Sequence, residues 1–273
     1  SGVARFLTAA AGRSRALRAC KPIRDFGLSR LLTCGGSDAD RPALQAFSRF
    51  RQAGGVLKGI WGIQKGIYFQ NAIQAGDLWV DLANDTVDLS RPPVEVCRLA
   101  DARFEEVASF DRLAEVARLY WNAEAYPNHI LPAVAAVLPL IFVWPDGAVR
   151  LAAPTTLLPR NIRLDYTLAE AFLIRGDRAS RRLPEPVLRQ LADLAATRSG
   201  WFATAGPWGI FEPAATTDQT AAALAAERDL QRHLDEAAAT RRFVAIVRTS
   251  SRPLLAGGRP APHETTAPTH GQR

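Results

Sequence analysis

The sequence predicts an α+β fold: a single globular domain with an antiparallel, hairpin-containing sheet packed by several helices, carrying basic arms at both ends. Three observations lead there. Short β-rich runs cluster between Val56 and Leu99 and again between Leu140 and Ala153, and turn residues separate them rather than helices. Helical apolar periodicity occupies other stretches, without regular β-α alternation. A chain of 273 residues, 48% hydrophobic and 22% charged, has enough apolar material for a core.

The elements follow in order. Residues 1–39 read as a basic arm ending near Gly35-Gly36-Ser37. Asp40 can cap a helix with Pro42 in its first turn and Leu44, Phe47 and Phe50 at helical spacing, stopped by Gly54-Gly55. Val56–Ile63, Ile67–Ile73 and Leu78–Leu89 are strand runs, and Val94–Leu99 is a further strand. Within the third run, a two-residue turn at Asn84-Asp85 predicts a hairpin that opposes Leu82 to Val87, Asp81 to Asp88 and Val80 to Leu89. Ser109 can cap a helix striped by Leu113, Val116, Ala117 and Tyr120. Tyr126-Pro127-Asn128-His129 is a break, and Pro145-Asp146-Gly147 turns a second hairpin. Asp165 can cap a helix through Leu173, and Pro184–Arg198 forms another. Gly200–Pro213 is an irregular aromatic loop. Residues 216–240 form the longest helix, Phe243–Val247 a closing strand, and 251–273 a tail rich in Pro, Gly and Thr. The globular domain is therefore expected over residues 40–250.

Charge narrows the partner classes. Residues 1–24 carry Arg5, Arg13, Arg15, Arg18, Lys21 and Arg24 with no acid, and the tail adds Arg252, Arg259 and Arg273 against Glu264. These ends hold the whole net excess of +7, so the body is close to neutral. Nucleic acid or an anionic surface is then expected at the arms only. The acid-free start also has the composition of a targeting segment, whether an organellar transit peptide or an export signal. The longest apolar run, Ile130–Trp144, is interrupted by Pro132 and Pro139 and falls short of the roughly 20 residues that a membrane span requires. Cys20, Cys34 and Cys97 include no C-x-x-C pair, which favours a reducing compartment.

Chemistry concentrates in three places. The predicted hairpin sets Asp77, Asp81 and Asp88 on one face with Trp79. Opposed carboxylates need compensation, by a divalent cation bound through oxygen, by splitting into an acid and a base, by Arg91 or Arg98, or by solvent. Trp79 between acids resembles a platform for a sugar or a base. His129 at its break can serve as a general base, or as a core histidine with satisfied hydrogen bonds. Trp201 and Trp208 sit in a Gly-rich loop that can form a pocket wall or plug the core. The nucleophile elbow, Walker and zincin motifs are all missing. Two functions stand: a non-catalytic interaction or assembly protein docking partners through basic arms, or a hydrolase or transferase using Asp81, Asp88 and His129. A secreted bacterial effector is a variant of either.

Overall fold

Lys65 and Gly66 both adopt left-handed backbone, with φ of 53° and 75°. The Ile67 N–H donates to the Gln64 carbonyl at 3.3 Å, and the chain reverses. Strands β1 (Leu57–Gln64) and β2 (Tyr68–Ala75) therefore pair antiparallel over their full length. A second tight turn at Gly76-Asp77 brings back β3 (Leu78–Asp81) against β2. The computed structural model describes residues 20–33, 41–86, 90–152, 156–250 and 252–256. It gives an α+β domain in which two compact units divide between Val107 and Ala108.

The first unit is a five-stranded antiparallel sheet in the order β4-β3-β2-β1-β5, with β4 at Glu95–Arg98 and β5 at Phe104–Glu105. Trp79 and Ala72 share one face with Ala102, and Ile60, Cys97, Leu99 and Phe104 pack around them. Helix α1 (Cys20–Thr33) packs on β1 and β2. Arg24 ties it down by donating to the Asn71 side chain at 2.9 Å and to the Ile60 carbonyl at 3.2 Å. Fourteen residues of the expected basic arm are thus a packed helix, with Ile23 and Gly27 buried. Residues 1–19 and 34–40, including Asp40, lie outside the described residues. Helix α2 (Arg41–Gln52) ends at Gly54, whose φ is 85°.

Gly62 on β1 is where β5 makes its closest approach. A Cβ there would lie 2.4 Å from the Glu105 carbonyl oxygen and 2.5 Å from the Phe104 ring. Gly62→Ala is expected to destabilise by about 1–3 kcal/mol, as overpacking does when backbone must move. An unchanged urea midpoint would show that β5 yields freely.

The predicted hairpin at Asn84-Asp85 does not form. Asn84–Thr86 is a 3-10 turn, and the partner of β3 is β4, with Val80 opposite Val96 and Asp81 opposite Glu95. Val87, Asp88 and Leu89 lie outside the described residues. The faces are also exchanged. Trp79 and Asp81, expected on the polar side, are fully buried, whereas Leu78 is exposed. The physical reason is that β4 supplies the cross-strand partner from beyond Pro92-Pro93, so nothing requires a turn at Asn84-Asp85.

The second unit contains α3 (Phe110–Tyr120), capped by the Ser109 side chain, and a three-stranded antiparallel sheet β6-β7-β8. Its strands are Glu124–Pro127, Leu140–Val143 and Val149–Ala152. The hairpin at Pro145–Gly147 is as expected. Short helices α4 (Pro132–Ala135), α5 (Leu157–Arg163) and α6 (Thr167–Glu170) follow, the last continuing as a π turn through Arg175. Asp165 is not a cap: Asp165 and Tyr166 both hold left-handed backbone, at 49° and 61°. Helix α7 spans Glu185–Ala196, and two 3-10 turns form the aromatic loop. The long helix stops at His233 (α8, Thr217–His233), and α9 (Glu236–Ser250) replaces the expected closing strand. Its Phe243–Val247 run is read equally well at helical spacing. Leu254 and Leu255, assigned to the tail, are buried, and Leu255 bridges Val149 on β8. Among the described residues no helix is long and apolar enough to cross a membrane.

Candidate functional site

The groups expected to do chemistry separate into two sets, one in each unit. In the first unit, β2 and β3 place Gln70 and Asp81 together in the interior. The Gln70 amide donates to one Asp81 carboxylate oxygen at 2.5 Å, and the Ala83 N–H donates to the other at 2.8 Å. Burial pushes the Asp81 carboxyl up to about 6 against these two donors, and Glu95 and Asp85 add to the rise. Paired acids are present after all, but the cross-strand partner is Glu95. Two hydrogen-bond donors, the Gln70 amide and the Ala83 N–H, compensate the Asp81 carboxylate here. Arg91, expected to neutralise the pair, donates to the Tyr68 hydroxyl at 3.1 Å, and that hydroxyl donates to Gln64 at 3.0 Å.

Of the three carboxylates expected to bind a metal, Asp88 lies outside the described residues. Asp77 is exposed at the β2–β3 turn. It is separated from Asp81 by roughly 13 Å of strand, too far to share an ion bound at ~2.4 Å. Among the described residues no group of three His, Cys, Asp or Glu side chains is placed to hold one. Trp79 is not a platform either. It is fully buried, tilted against Phe104 at 4.9 Å between ring centres, and its indole N–H has no acceptor among the described residues.

In the second unit, His129 is buried where three segments meet. Nε2 lies 2.9 Å from the Ala179 carbonyl, and Nδ1 lies 2.8 Å from the Thr220 hydroxyl on α8. A carbonyl only accepts, so Nε2 donates to Ala179; the Thr220 hydroxyl also lies 3.1 Å from the Thr216 carbonyl, so its one proton serves either that carbonyl or Nδ1. Burial pulls the imidazole below its ordinary value, the Ala179 carbonyl opposes this, and Arg182 adds to the fall. Asn128 closes the same turn, with its side chain accepting from the Leu131 N–H and donating to the Leu138 carbonyl. His129 thus clamps three segments together through both ring nitrogens.

Trp201 is buried, donates to the Thr249 carbonyl at 2.9 Å and meets Phe202 edge-on, so the loop plugs the core at that point. Trp208 is half-buried beneath the Arg242 guanidinium, 5.0 Å from its ring centre. Arg242 in turn grips both oxygens of Glu227, which also accepts from the Tyr166 hydroxyl at 3.0 Å. This cluster was missed from sequence, although Thr220, Leu224 and Glu227 recur on one face of α8.

Several apolar side chains of the first unit are exposed. β4 is an outer strand of its sheet, and among the described residues no strand pairs with its free edge. Val94 and Val96 are 44% and 58% exposed there, and Leu78 on β3, opposite Arg98, is 40% exposed. The chain matches no protein-family model, no curated protein and no solved structure.

Proposed function

We propose that this chain is a non-catalytic interaction protein that docks an extended protein segment along the free edge of β4. One observation carries the reading: an outer strand whose far edge pairs with no strand among the described residues, with Val94, Val96 and Leu78 exposed beside it. Such edges are usually blunted by charge, proline or cover, because they template strand addition. Here Pro92-Pro93 stops before the strand, and its exposed face offers valines. The burial of Asp81 and His129 supports the same reading, since both direct their polar atoms to internal partners.

Val94→Lys with Val96→Lys places two charges on that row without touching the buried face. The double variant is expected to unfold at the wild-type temperature and to lose partner co-purification. In a companion experiment, a photo-crosslinker at Val96 is expected to give a discrete adduct. Undiminished association of the double variant would sink the reading. The basic arms, as far as they lie in residues 1–19 and 257–273, fall outside the described residues and are a second contact to test by truncation.

A further inference from the structure

The Leu99 N–H donates to the Asp77 carbonyl at 2.7 Å. Opposed residues in an antiparallel pair alternate between bonded and non-bonded. Leu78 lies opposite Arg98 and Val80 opposite Val96, so the backbone groups of Glu95 and Cys97 point to β3. Those of Val96 and Arg98 then point to the far edge. The Pro93 carbonyl accepts from the Asn84 N–H on the β3 side, so the Val94 carbonyl also points to the far edge. The Arg98 carbonyl accepts from the Asp101 and Ala102 N–H groups of the turn that follows. Among the described residues no strand pairs with this edge.

The edge is complementary to itself. A two-fold axis at Val96 lays a second copy of β4 antiparallel to the first. Val96 then exchanges both N–H···O bonds with Val96 of the second copy, and each Arg98 N–H meets the Val94 carbonyl of the other. The side chains agree with this register. Val96, 58% exposed, meets its own equivalent beside Val80, and Glu95 on the opposite face meets Cys97, so no like charges are opposed. An axis at Glu95 would instead set two carboxylates face to face. Charges at the strand ends match as well. Antiparallel pairing carries each Arg98 to the Pro93 end of the other strand, beside the 3-10 turn that holds Asp85. Asp101, just past the strand, is carried toward Arg91 in the same way. The other outer strand of the sheet, β5, spans only Phe104–Glu105, so pairing through β4 closes as a dimer and does not propagate.

We infer that β4 pairs with β4 of a second copy of this chain, which makes the chain its own partner at this edge. The inference rests on the reading of β4 as a docking edge. The test is sedimentation of the full chain over a concentration series. Wild type is expected to reach the mass of a dimer. Val96→Lys and Val96→Glu each set like charges opposite one another on the axis, and each variant alone should sediment as a monomer. Mixing the two variants sets Lys opposite Glu and should restore the dimer. That rescue also shows that both variants are folded, and a foreign segment docked on β4 would not produce it. Wild type that stays monomeric would overturn the inference. So would a dimer that both single variants leave intact, or a mixture that fails to re-form it. The photo-crosslinker at Val96 separates this failure from failure of the wider reading. A covalent dimer supports both, an adduct with a different protein removes the self-pairing and leaves β4 a docking edge, and no adduct removes both.

Discussion

Glu227→Ala is expected to destabilise the second unit by about 3–5 kcal/mol, the cost of stranding a buried charge. The Glu227 side chain is 6% exposed and that of Arg242 is 13% exposed. Arg242 reaches both carboxylate oxygens in a fork, and the Tyr166 hydroxyl donates to the same carboxylate. Burial, and then the neighbouring carboxylate, push the Tyr166 phenol far above its ordinary range, so it stays a donor. Removing the carboxylate leaves a guanidinium and a phenol without their acceptor in a dry place. The guanidinium retains only its contact over Trp208, worth about 1–2 kcal/mol at best. Replacing both partners, Glu227→Leu with Arg242→Leu, removes the stranded charge and should cost clearly less than Glu227→Ala alone. Urea denaturation of the two single variants and the double variant measures the coupling. Additive losses would show that the fork contributes nothing of its own. The same cluster explains Tyr166, whose left-handed backbone is of the kind that costs on the order of 1–3 kcal/mol and persists only where its surroundings hold it. Its N–H donates to the Asn161 carbonyl and its hydroxyl is anchored on α8.

Local chemistry was the legible part of this chain. Ser109 caps α3, Gly54 ends α2 and Pro145–Gly147 turns a hairpin, because each signal acts over three or four residues. The α+β class followed from the same signals. Pairing over longer separations was not legible. Asn84-Asp85 has sound turn chemistry, yet the strand that pairs with β3 begins at Glu95, and nothing in a single run of residues says which later strand will compete for an edge. The error inverted the faces, so Trp79 and Asp81 looked exposed and functional when they are core. His129 was correctly placed at a break, but Thr220 and Ala179 lie far along the chain, so the clamp they form could not be read locally. Phe243–Val247 misled for a different reason: a short apolar run fits strand and helix alike, and α9 is fixed by Arg242 and Ile246 facing inward.

Asp81→Asn should remove a specific fall in stability between about pH 4 and pH 6. Burial raises the Asp81 carboxyl from 3.8 to about 6, with Glu95 opposite on β4 and Asp85 nearby adding to the rise. Gln70 and the Ala83 N–H act in the other direction without overcoming it. The folded protein therefore holds this proton more tightly than the unfolded chain does. Below the unfolded value both states are protonated and the raised value costs nothing. As the pH climbs through the window, the unfolded chain releases its proton first, and stability declines until the folded group ionises as well. Above about 6 the loss is complete and constant, near 3 kcal/mol for a rise of about two pH units. Asp111 is also raised by burial and His129 is lowered, so the wild-type curve alone mixes several groups. The difference between wild type and Asp81→Asn isolates one of them. Urea midpoints measured at intervals from pH 3.5 to 7.5 should converge or diverge by that amount across the window and run parallel outside it. The asparagine oxygen can still accept from Ala83, but its amide meets the Gln70 donor. A constant offset at all pH values is the expected cost of that mismatch. Curves parallel throughout would mean that Asp81 is ionised in the folded state at pH 4, and that Gln70 and Ala83 outweigh its burial.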